Sequence, residues 1–181
     1  MTQEQQRQAE LMMRNIKELG LYSYELEEKR EQSLLNQAGQ MLTAFAIFTA
    51  ALYMLLPVVL EHATLNISKN KLILFVGVIS LFLLSSLVLA ILAQWRYKYN
   101  AMNEIGVIYQ EVDKNYGDYS TQVNFDKQWI IQIENLHKSK LKNNNRRAKL
   151  VMASMIIFLV AIALVIAVGG YVIFRNVGGW I

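Results

Sequence analysis

Three uncharged apolar runs, a skewed distribution of Lys and Arg around them, and helical spacing of apolar residues between them predict the fold class. It is an all-α membrane protein with three transmembrane helices and a cytosolic helical bundle, assembled as a homo-oligomer. The runs cover 36–60, 72–95 and 150–174. Each exceeds the roughly 20 residues that a helix needs to cross a ~30 Å hydrocarbon layer. Of the 181 residues, 54% are hydrophobic, one is proline and none is cysteine, so disulfides, thiol catalysis and thiolate metal sites are excluded.

Orientation follows from the basic residues near the span ends. Lys29, Arg30, Arg96, Lys98, Lys138, Lys140, Lys142, Arg146, Arg147 and Lys149 lie on one side, against Lys69, Lys71 and Arg175 on the other. Ten against three puts the N-terminus and the segment 96–149 in the cytoplasm, and the connection 61–71 and the tail 175–181 outside. The chain is expected in a cell membrane with both of these cytoplasmic segments on its inner side. The Gln- and Glu-rich N-terminus lacks a basic n-region followed by an apolar core, so the first span is expected to serve as an uncleaved insertion signal.

Residues 1–35 place Met12, Ile16, Leu19, Tyr22 and Leu26 at helical gaps, with Glu, Arg and Lys elsewhere. This predicts an amphipathic cytosolic helix that needs partner helices, as in a loose coiled coil. Gly20 is its one breaker, so the helix either bends there or runs on into the first span. Residues 36–95 form a two-span hairpin with a short outer connection. In the first span Asn36, Gly39, Gln40, Thr43, Ala46, Ala50, Tyr53 and Pro57 recur at gaps of three and four on one face. Leu42, Phe45, Phe48, Leu52 and Leu55 cover the remaining surface, a lipid-facing or packing side. The polar, small stripe is either a helix-packing seam or the wall of a wet path. As a wall it is lined by Asn36, Gln40, Thr43, Ala46, Ala50 and Tyr53, with Pro57 free to bend the outer end. Gly77, Ser80 and Ser85 are the small residues expected to bring the second span close to the first.

Residues 96–149 predict a cytosolic helical hairpin, broken at 114–121 by turn residues. Its second helix carries Phe125, Trp129, Ile133 and Leu136 on one face. Its end is strongly basic, and Lys138, Lys140, Lys142, Arg146, Arg147 and Lys149 are expected to touch lipid head groups. The third span, 150–174, holds a second small-residue seam at Ala163, Ala167 and Gly170, ahead of a short external tail, 175–181.

No phosphate loop, nucleophile elbow, HExxH motif or dense acidic cluster is present, which points away from an enzyme, and no cofactor or metal is expected. Glu134-x-x-His137 has the spacing of half a carboxylate metal site with the other half missing. No span contains an ionisable Asp, Glu, Lys, Arg or His, which argues against a proton-coupled transporter. Arg7, Arg14 and Lys17 fall on roughly one side of the N-terminal helix. Symmetry would multiply them into a ring for phosphates, and the alternative is a solvated charged face interleaved with Glu.

The order of elements, an amphipathic N-terminal helix, a two-span hairpin with a short outer connection, then cytosolic helices, resembles that of SLATT-type bacterial defence effectors over residues 1–136. The size and long cytosolic arms resemble the membrane effectors of the Hailong antiphage system. The third span departs from a strict two-span plan. The resemblance implies an oligomeric pore-forming channel gated by a nucleotide or oligonucleotide from a partner nucleotidyltransferase. A second reading of the same residues is a non-catalytic structural or accessory subunit that anchors a protein partner.

Overall fold

A computed structural model describes residues 3–62, 69–95, 114 and 122–177. Among them the chain is wholly helical: α1 spans Gln3–His62, α2 spans Lys69–Gln94 and α3 spans Gln122–Val177. The expected helix through 96–113, most of the turn at 114–121, the outer connection at 63–68 and the last four residues lie outside the described residues.

α1 is unbroken, because its first half is rich in strong helix formers and neither Gly20 nor Pro57 ends it. Gly20 has another use. A Cβ there would stand 3.2 Å from Ile133 Cγ2, so the glycine lets α3 approach closely. The chain divides into two compact units, one built from residues 1–33 and 96–145 and the other from 34–95 and 146–181.

In the first unit α1 and α3 run parallel, as the successive pairings Lys17 with Asp126, Gly20 with Ile133 and Lys140 with Glu31 require. The face with Phe125, Trp129, Ile133 and Leu136 is turned inward as expected, and Ile133 is buried. The expected apolar face of α1 is not. Met12, Leu19 and Tyr22 are 64%, 65% and 58% exposed, and Ile16 and Leu26 are also exposed. Polar groups replace them at the contact. Asp126, Lys140 and Asn144 are all buried, and each is tied to α1, which offsets their removal from water, although Asn144 Oδ1 has no partner among the described residues.

In the second unit α2 runs antiparallel to both neighbours. Phe45, Ile79, Leu83 and Ala161 form its core, with Phe48, Leu52 and Phe158 packed around them. The Phe158 ring lies 5.9 Å from Phe45 and 5.7 Å, edge to face, from Phe48. A second cluster joins Ala38, Ala93 and Val151, where two alanines permit a close approach of α1 and α2. Between them, Ser86 and Ser154 pair reciprocally. Each hydroxyl donates to the other's carbonyl at 2.8 Å, and both residues are fully buried.

Two helical segments, Asn70–Gln94 of α2 and Gln122–Val172 of α3, are long and apolar enough to cross a membrane. Only 22% and 17% of their most apolar windows are buried within the chain.

Candidate functional site

The stripe on α1 lies on the exposed side of the helix, with Tyr53 at its edge reaching α2. Asn36, Gln40, Thr43, Ala46, Ala50, Tyr53 and Pro57 are all exposed, whereas Ala38 and Phe45 are buried and Phe48 and Leu52 are packed against the core. Of the two uses expected for the other side of the helix, packing holds for three of its residues, and the Leu55 side chain lies outside the described residues. Phe45, Phe48 and Leu52 do not meet lipid but form the inner face, because three bulky side chains bury far more apolar area against Phe158, Ile79 and Leu83 than Thr or Ala could. The stripe is therefore not a seam within the chain. Gly39 alone turns partly inward, with Gln94 Nε2 3.5 Å from where its Cβ would be. The Thr43 hydroxyl donates to the Gly39 carbonyl one turn back at 3.3 Å, and the Tyr53 hydroxyl shares a 3.1 Å bond with Ser80 at the edge of the stripe.

Two other expected seams are redrawn. Gly77 and Ser85 of α2, and Ala163, Ala167 and Gly170 of α3, are not buried; Gly77, Ser85, Ala163, Ala167 and Gly170 lie on outer or partly covered faces, and the buried small residues are Ser86, Ala90, Ala93, Ser154 and Ala161. Ser85 satisfies itself on the Leu81 carbonyl, which leaves its neighbour to make the interhelical pair. Adjacent serines differ by about 100° around a helix, and sequence spacing alone did not decide which one faced inward.

At the other end of α1, Arg7, Arg14 and Lys17 line one cavity of about 410 Å³, together with Glu10, Leu11, Gln122 and Asp126. The three cations are thus brought together within a single chain, but two are already engaged. Lys17 Nζ donates to Asp126 Oδ1 at 2.9 Å, and Arg14 pairs with Glu18 at 3.2 Å on the exposed surface. The Lys17 ammonium holds the Asp126 carboxyl below its ordinary value; burial opposes this, and the Gln122 amide, 3.1 Å away, adds to it. Counting Arg7, Arg14 and Lys17 against Glu10 and Asp126 leaves the cavity one positive charge.

The basic segment divides in two. Lys138, Lys142, Arg146 and Lys149 are exposed, and Lys138 is bonded to Glu134. Lys140 and Arg147 are buried and do not present their charges to head groups. Lys140 lies 3.6 Å from Glu31, 3.9 Å from Glu28 and 4.5 Å above the Tyr24 ring, while Arg147 donates to the Trp95 carbonyl at 3.3 Å. Beside them Asn144, which the sequence reading passed over, donates to the Glu27 carbonyl at 2.7 Å and its carboxylate at 2.8 Å.

Glu134 and His137 both line a groove of about 300 Å³ with Ile16, Gly20 and Ser23. Lys138 holds the Glu134 carboxyl below its ordinary value, and no group of three His, Cys, Asp or Glu that could hold a metal occurs among the described residues.

Fold and site together define a chain that is helical throughout its three described elements, with two helices suited to a membrane and a polar stripe exposed on α1. In comparisons with known proteins, no family model, curated protein or solved structure matches the chain.

Proposed function

We propose that the chain is a homo-oligomeric, pore-forming effector of bacterial antiphage defence, an ion channel of the inner membrane gated from the cytosol by a nucleotide or oligonucleotide. The single observation that carries this reading is the outward exposure of Asn36, Gln40, Thr43, Ala46, Ala50 and Tyr53 on a helix whose Phe45, Phe48 and Leu52 pack inward, with Ile47 and Met54 exposed beside the stripe. Hydrogen-bonding side chains facing hydrocarbon are unfavourable, so in a membrane this face belongs against copies of itself or against water. A ring of copies supplies both, with the stripe around a central axis. Lacking charged rings and carbonyl filters, such a path is weakly selective. The first span completes a three-span plan, with the N-terminus cytoplasmic and the C-terminus external.

The cavity around Arg7, Arg14 and Lys17 supports a cytosolic anion site, since its net charge is positive and Arg7 has no ion-pair partner among the described residues. The layout shared with SLATT-type effectors supplies the nature of the signal and of the partner nucleotidyltransferase. The test is dye influx and membrane potential in cells expressing Thr43→Leu or Leu42→Ala at matched levels. Thr43→Leu abolishes influx and Leu42→Ala largely keeps it. Full activity of Thr43→Leu with loss in Leu42→Ala overturns the assignment of the face.

A second reading, an accessory subunit that anchors a protein partner, is favoured by the exposed Met12, Leu19 and Tyr22. Oligomeric state in detergent separates the two. A closed ring of identical chains supports the channel, and a monomer that assembles only with another protein supports the anchor.

A further inference from the structure

A groove of about 410 Å³ runs between α1 and α2 in the second unit, lined by Phe45, Thr49, Tyr53, Gly77, Ser80 and the leucines of α2 that follow. We infer that it is a binding site for one acyl chain of a bilayer phospholipid. The inference rests on α2 spanning a membrane and not on the conduction of ions.

The groove lies toward the middle of α2, at 77–87 of a helix that runs from Lys69 to Gln94, which is the depth of the hydrocarbon layer. Its outer wall, Leu81 and Leu84, is 63% and 57% exposed, so the groove opens sideways onto the medium around α2. The floor is formed by Phe45 and Leu83, which are buried. Gly77 keeps it open: a Cβ added there meets nothing within 4 Å. The volume falls within the range of small-molecule sites, and an apolar recess of this kind does not fill with water.

Hydrocarbon is the occupant the surroundings select. Close helix packing between membrane proteins uses small residues, whereas the exposed side of α2 around the groove carries Ile73, Leu74, Leu81, Leu84 and Val88, with Gly77 and Ser85 as its small residues. A second copy meeting this side would meet bulky branched side chains. Of the polar groups that line the groove, Tyr53 and Ser80 bond each other, and the buried Thr49 hydroxyl has no partner among the described residues. A chain lying in the groove therefore contacts the Tyr53 ring, which also belongs to the exposed stripe, and couples the lipid to that face.

The experiment uses the full chain reconstituted in phosphatidylcholine vesicles that contain a phosphatidylcholine with a photoreactive group midway along one acyl chain. Peptide mapping after illumination is expected to show labels concentrated at Thr49, Gly77, Ser80 and Leu84, above the level on the outer face of α3 at Leu159 and Ile166. Gly77→Leu, which enters open space, is expected to lose most of the groove labelling and leave that at Leu159 unchanged. Thr49→Leu, filling the groove from α1, is expected to do the same and guards against an effect peculiar to position 77. Labelling spread evenly over all exposed apolar residues, or unaltered in both variants, overturns the site. Cross-links from groove residues to a second copy in place of lipid also overturn it. A chain that labels as expected yet passes no dye refutes the channel and leaves the lipid site standing.

Discussion

Ser86 and Ser154 clasp each other across α2 and α3. Each hydroxyl donates to the other residue's backbone carbonyl at 2.8 Å, the two oxygens are 3.0 Å apart, and neither residue is exposed. Hydrogen bonds between helices in a membrane contribute about 0.6 kcal/mol each, so the pair holds the helices modestly by bonding and strongly by size. Ser86→Ala is expected to lower the melting temperature in detergent slightly, since the close approach survives. Ser86→Leu forces the helices apart and costs several-fold more. Equal melting temperatures for parent and Ser86→Leu would show that the helices do not meet there.

Asp126 and Lys17 set an acid limit on the first unit. The folded-state pKa of Asp126 is lowered, chiefly by the Lys17 hydrogen bond, from an ordinary 3.8. A lowered carboxylate pKa stabilises the fold fully above the unfolded value, and the contribution fades as pH falls through the folded one. Between pH 5 and 8 this pair leaves stability flat, and the loss begins below about pH 4. Asp126→Asn is expected to remove about 2 kcal/mol at pH 7 and to abolish that acid step, read by circular dichroism across pH. An acid step unchanged in Asp126→Asn would assign it to other carboxylates.

Lys140 and Lys138, two residues apart, are expected to behave oppositely. Lys140→Gln strips a buried charge from Glu31, Glu28 and Tyr24 and destabilises by on the order of 2 kcal/mol. Lys138→Gln leaves the melting temperature unchanged, because that side chain is two-thirds exposed, at 67%. Thermal melting of the two variants side by side checks this, and the reverse order would contradict the placement of Lys140.

These cases mark how far the sequence could be read. Helix positions and the period-of-four stripe were legible, because hydrophobic periodicity depends on one helix at a time. The facing of that stripe was not. Phe45 and Phe48 suit lipid and core equally, and only Phe158, more than a hundred residues away, decided for the core. Lys140, Arg147 and Asn144 lie in a basic run that by composition belongs at the surface. Their burial depends on Glu27, Glu28, Glu31 and the Trp95 carbonyl, supplied by distant parts of the chain. The exposed face at Met12, Leu19 and Tyr22 shows the converse, an amphipathic pattern whose partner is not α3.

Arg7, Arg14 and Lys17 share a cavity in which Arg7 is, among the described residues, the cation with no ion-pair partner. Changing all three to Gln is expected to abolish retention of labelled oligonucleotides by the purified protein. Arg7→Gln alone weakens retention more than Arg14→Gln, whose cation is shared with Glu18. Retention unchanged in the triple variant, or none by the parent, removes the anion site.

The central claim is that the face at 36–53 of α1 lines water. The chain has no cysteine, so single cysteines report position directly. Gln40→Cys, Thr43→Cys and Ala50→Cys, with Leu81→Cys as the lipid-side control, are treated in reconstituted vesicles with a charged, membrane-impermeant thiol reagent while conductance is recorded. The stripe cysteines are expected to react and to alter conductance, and the cysteine at position 81 to do neither. Protection of all three stripe cysteines, or reaction without any change in conductance, would contradict a water-filled path along this face.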